Sequence, residues 1–249
     1  AAQVLDAMVG IDEINYEAEQ ILAPILDASP QLVVDWFKDR ISRSETVDDI
    51  AYDATPYSFY DLHKPLQEHG HLLIEMLRGL HGNDDQHVRW NASHFLSRVF
   101  PSFEPQLSDN LSEMVESADT EDLEFIVSIL AGYDGNSALF PLLRNIVASE
   151  NCTQAIENGV SVLINETGVM SGEFGAAETY KAKIELLKPW LEDKSQRVVT
   201  FATNETRMLK RGVAADLRSA QERIAMRKLE YGEPLSGGEP DNNLGSESD

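Results

Sequence analysis

Apolar residues recur at helical spacing along almost the whole chain, and strand-like alternation is scarce. Leu66, His69, Leu73, Met76, Leu77 and Leu80 follow the i, i+3, i+4 rule, as do Leu123, Ile126, Ile129 and Leu130, and then Leu139, Leu142, Leu143, Ile146 and Val147. Further stripes run through Ile156, Val160, Leu163 and Ile164 and through Ile184, Leu187 and Leu191. Breakers such as GYDGN at 132–136 and GVMSGEFG at 168–175 separate them, so the helices come in pairs. The pattern predicts hairpins at about 65–101, 104–132, 137–166 and 178–211, preceded by a pair at about 11–27 and 30–42. Ser29 before Pro30 marks the start of that last helix, since Ser can cap free amides and Pro tolerates the first helical position. An all-α chain is expected, with helix content well above the average of about a third.

Two stretches repeat one layout. Asn83 to Leu96 reads NDDQHVRWNASHFL and Asp193 to Leu209 reads DKSQRVVTFATNETRML. Each has an acidic turn ahead of a Val, a small residue (Ala92 or Ala202) four positions after it, and an apolar stripe beyond. This layout resembles the second helix of a HEAT-type hairpin, in which a small residue lets the paired helix approach closely. Second helices expected near 85, 120, 151 and 194 are spaced by lengths that bracket HEAT and armadillo units. The resemblance implies a right-handed α-solenoid of about five helical hairpins with an extended C-terminal helix. It also implies that the second helices form a concave, partner-binding face. The polar positions expected there are Asp85, Arg89, His94, Arg98, Glu124, Glu157, Arg197 and Arg207.

The chain then divides into an N-terminal hairpin (1–43), an irregular aromatic-rich connection (44–64), HEAT-like repeats (65–211), a continuing basic helix (212–231) and an acidic tail (232–249). The tail is rich in Gly, Pro, Ser and acid, has little to bury, and is expected to be disordered. No Met precedes Ala1, which suits a fragment or processed product.

The net charge of −23 is unevenly spread. Residues 1–180 carry 8 Lys and Arg against 31 Asp and Glu, residues 181–228 carry 12 against 6, and the stretch from Leu229 has 6 acids and no base. An acidic body repels phosphate, so nucleic acid is not expected along it, and a basic partner protein is. The basic helix over 195–231 is expected to pack on an acidic surface, its own or that of another copy. No apolar run reaches the roughly 18 residues of a membrane helix, and no signal peptide is evident at the start. One Cys, Cys152, excludes an internal disulfide and points to the cytoplasm. The N-x-S/T triplets at Asn91, Asn110, Asn151, Asn165 and Asn204 then read as polar helix-end residues.

Chemistry-bearing motifs are absent: there is no phosphate loop, nucleophile elbow or H-E-x-x-H. Cys152 lacks a nearby His to form its thiolate and reads as a buried thiol. All six histidines, from His63 to His94, lie among acids, a donor set that Zn or Ni accepts, but their spacing along a helix is poor for one ion. Trp36, Trp90 and Trp190 read as core. The function expected is a non-catalytic protein-interaction scaffold, possessing neither cofactor nor metal and serving as a module of a larger protein. An acidic decoy or immunity-type inhibitor covering a basic surface is the alternative, and a metal-dependent enzyme using the histidine cluster is a third.

Overall fold

The computed structural model describes residues 1–43, 52–83, 85–166, 172 and 174–231. The first part of the aromatic-rich connection and the acidic tail at 232–249 therefore lie outside the described residues. Of the described residues 79% are helical, and none forms a strand.

The first helix, α1 (Ala2–Met8), has no counterpart in the sequence reading, and α2 (Tyr16–Ala28) starts later than expected. Asn15 sets that start, its side chain accepting the Ala18 amide at 3.0 Å. α3 (Pro30–Arg43) begins at the proline, as expected. The stripe over residues 66–80 is broken in two at His69, giving α4 (His63–Glu68) and α5 (Gly70–His81), and a Cβ at Gly70 would lie 3.2 Å from the Phe100 ring, which glycine avoids. α6 (Gln86–Val99), α7 (Pro105–Ser117) and α8 (Thr120–Leu130) follow. The GYDGN breaker is a turn with Gly135 at φ 72°, a conformation that favours glycine. Beyond it come α9 (Phe140–Ala148), α10 (Gln154–Asn165) and α11 (Gly175–Leu187). The last helix, α12 (Gln196–Tyr231), is continuous through Gly212. That glycine does not break the helix. A Cβ there would come within 3.0 Å of the Tyr180 ring, so it marks where α11 rests on α12.

Helices adjacent in sequence pack as pairs: α5 on α6, α7 on α8, α9 on α10, and most extensively α11 on α12. The first helices α5, α7 and α9 also meet in succession, with α3, the second helix of the N-terminal pair, packed on α5 ahead of them, while the later second helices meet as α6 on α8, α8 on α10 and α10 on α12. One apolar cluster runs through all of them, from Leu5 to Leu209. α8 and α10 approach closely, since a Cβ on Gly159 would fall 2.7 Å from Val127 Cγ1. Ion pairs tie neighbours together: Arg78 of α5 reaches Asp122 of α8 at 2.5 Å, and Arg144 of α9 holds Asp193 ahead of α12 with two N–H bonds of 2.8 Å.

Trp36 and Trp190 are buried, but Trp90 is 52% exposed. The buried face of α6 is drawn by Val88, Ala92, Phe95, Leu96 and Val99, and position 90 falls roughly opposite Val88 at 100° per residue. Ala92 and Ala202 are both buried. Enlarging either to Leu is expected to overpack its contact and cost about 1–3 kcal/mol. Urea denaturation of Ala92→Leu and Ala202→Leu reads this directly, and parental midpoints would mean the contacts yield freely.

Candidate functional site

The second helices carry the eight positions expected to meet a partner, and the structure divides them by role. Asp85 is a cap: its carboxylate accepts the His87 and Val88 amides at 2.6 and 3.3 Å at the start of α6. Arg98 is a strap, donating to the Thr55 carbonyl at 2.7 Å and to its hydroxyl, and burial lowers its pKa. His94 is exposed and stacks on Trp90, ring centroids 4.2 Å apart.

Arg89 and Glu124 are exposed and share one neighbourhood. Both act electrostatically on His81, whose ring meets Phe125 edge-on at 5.6 Å and whose Nδ1 lies 3.4 Å from the Ser128 hydroxyl. Burial lowers the His81 pKa; Glu124 and Glu121 of α8 oppose that and Arg89 of α6 adds to it. Neutral imidazole is thus favoured in the fold. The unfolded chain binds the proton more readily, so stability contributed by neutral His81 is complete above about 6.5 and falls as the pH drops below it. The urea midpoint of His81→Phe should therefore change less between pH 7 and pH 5 than that of the parent; equal changes would assign the pH dependence to other groups.

Glu157 and Arg197 meet across α10 and α12 at 2.7 Å, and Arg197 also donates to the carbonyls of Ser149, at 3.1 Å, and Cys152. They stand in a groove of about 430 Å³ between the two helices. On the α10 side it is lined by Gln154, Asn158 and Ser161, and on the α12 side by Gln196, Thr200, Phe201, Asn204 and Met208. Glu205, 5% exposed, also lines it, and accepts hydrogen bonds from Ser161 Oγ and Asn165 Nδ2, both at 2.8 Å. Asn165, the start of one N-x-S/T triplet, is thereby engaged within the protein. Arg207 is exposed on α12 outside this groove, within reach of Asn204 at 3.2 Å.

Of the groove residues only Glu157 and Arg197 were singled out from the sequence. The amide and hydroxyl residues were missed, although Gln196, Thr200 and Asn204 recur at four-residue intervals on one helix face. The arrangement offers hydrogen-bond donors and acceptors on both helices, with the Ser161 hydroxyl donating to the Glu205 carboxylate. Burial pushes the Cys152 thiol up to about 11, against a lesser pull from Arg197, so little thiolate is present near neutrality. Among the described residues no group of three or more His, Cys, Asp or Glu side chains is placed to hold a metal ion; His71 and His87 are exposed, and His94 stacks on Trp90.

No helix among the described residues is long and apolar enough to cross a membrane. Comparison with protein-family models, with curated proteins and with solved structures gives no significant match.

Proposed function

We propose that this protein is a non-catalytic protein-interaction module, a right-handed α-solenoid of HEAT or armadillo type, which holds an extended polypeptide segment in the groove between α10 and α12. The groove itself carries the reading. Residues four apart on a helix are about 6 Å apart along the axis, and two residues of extended chain span about 6.6–6.8 Å. Side chains such as Gln196, Thr200 and Asn204 are therefore nearly in step with every second peptide group of such a segment. The pairing of consecutive helices and the contacts between successive second helices support the solenoid. With a net charge of −23 over the body, a segment bearing Lys or Arg is attracted and a phosphate backbone is repelled. The single buried Cys152 suits a reducing compartment such as the cytoplasm.

A selection of displayed random peptides on the full chain tests this. Enriched peptides should bind the parent and lose at least about tenfold in affinity, near 1.4 kcal/mol, on Thr200→Trp, which fills the groove. Peptides that bind parent and variant equally would place the contact elsewhere. The charge alone favours a second reading, an acidic decoy that covers a basic protein surface. In that case binding would collapse with salt and be indifferent to Thr200→Trp.

A further inference from the structure

We infer that the chain associates head to tail with a second copy of itself, a basic groove on α12 seating against an acidic groove between α1 and α3. The basic groove, about 610 Å³, is lined by Leu191, Thr203, Thr206, Arg207, Lys210 and Arg211, with Ala214 at its end. The acidic groove, about 130 Å³, brings together Asp6 from α1 and Asp35 and Asp39 from α3 over an apolar floor of Leu5, Leu32 and Trp36. Each therefore brings three like charges together beside apolar side chains, half-buried at Leu32 in the acidic groove and exposed at Leu191 and Ala214 in the basic one, and the two sets are of opposite sign.

The spacing matches as well as the sign. Arg207 and Arg211 are one turn apart on α12, Asp35 and Asp39 one turn apart on α3, and in both cases such positions lie about 6 Å apart on one face. All six charged side chains are exposed.

The two grooves sit at opposite ends of one packing succession, α3 on α5, α5 on α7, α7 on α9 and α9 on α12. They are different surfaces, so the contact is heterologous and leaves one groove open at each end of a pair. With fewer than ten residues lining each side, against about 20–30 in a standard interface, the association is weak and driven by charge.

Sedimentation equilibrium of the full chain, at loading up to about 1 mM, reads it. At low salt the weight-average mass should rise above the 27.7 kDa of one chain. It should return to one chain near 1 M salt, where charges are screened beyond about 3 Å. The double variants Arg207→Glu/Arg211→Glu and Asp35→Lys/Asp39→Lys should each stay single while keeping the parental circular dichroism. Mixed in equal amounts they should associate again, because the intact acidic groove of the first meets the intact basic groove of the second. A single-chain mass for the parent at every concentration, or association that survives both reversals, overturns the inference. So does a free peptide of residues 232–249 occupying the basic groove of a parent that stays single, which would assign the groove to that acidic segment.

Discussion

Arg40→Met should destabilise the protein by about 3–5 kcal/mol, as measured by urea denaturation, although Met fills a similar volume. Arg40 is fully buried, and its guanidinium donates to four backbone carbonyls: Val9 at 2.9 Å, Ile11 at 2.7 Å, Asp53 at 2.5 Å and Ala54 at 3.2 Å. The cation also lies 4.8 Å from the centre of the Tyr52 ring and 5.3 Å from that of Trp36. Burial lowers its pKa, with Tyr52 and Asp53 opposing, yet a guanidinium stays charged. Each carbonyl left without its charged donor costs about 1–3 kcal/mol, and water reaching the outer ones keeps the total below the sum. Arg40→Lys should recover little, since one ammonium cannot reach carbonyls lying in different directions as a planar fork can. Hydrogen exchange should quicken first in the strands of backbone that Arg40 ties together, residues 9–11 and 53–55. A Met variant of parental stability would mean these carbonyls find other donors.

Glu19→Ala is the companion case, expected to cost about 2–4 kcal/mol for three orphaned amides. Glu19 of α2 is 1% exposed and accepts the backbone N–H groups of Tyr60 at 2.9 Å, Asp61 at 2.8 Å and Leu62 at 3.0 Å. These residues lead into α4, whose own capping position, Leu62, supplies no side-chain acceptor. A carboxylate from another helix therefore caps α4 and faces the positive end of its dipole. Glu19→Gln should lose much of the same stability, because its NH₂ group cannot accept from the amides and only one oxygen remains. If Gln were as stable as Glu in urea, shape rather than acceptor capacity would explain the burial.

Neither residue could be read from the sequence as an anchor. Helical periodicity marks which face is apolar, and both Arg40 and Glu19 look like polar positions until the carbonyls and amides they meet, up to 43 positions away, are placed by tertiary packing. The helix pairs were legible for the opposite reason, because Ser29–Pro30 and GYDGN act locally. Trp90 shows the cost of judging a residue by type rather than by phase: the stripe from Val88 to Val99 already put it on the other side of α6. In the candidate groove, a charge pair such as Glu157 and Arg197 attracts attention in a sequence. Asn158, Ser161, Thr200 and Asn204 do not, since uncharged polar side chains acquire meaning only when two helices set them face to face.

The 36 residues of α12 make a rod of about 54 Å at 1.5 Å per residue. Its first half is held by α9, α10 and α11, and Ala220 is the last position buried; from residue 221 onward the side chains described are exposed or half-exposed. An isolated helix as short as this overhang is marginal in water, but here the nucleus already exists and only elongation is required. Arg223 of the overhang donates back to the Ser219 hydroxyl at 2.9 Å, and the sequence from 221 is rich in good helix formers such as Ala, Gln, Glu, Arg and Met. The overhang is consequently a strut. The side chains it carries keep a bearing fixed by the body, because reorienting them means bending a continuous helix rather than swinging about a loop.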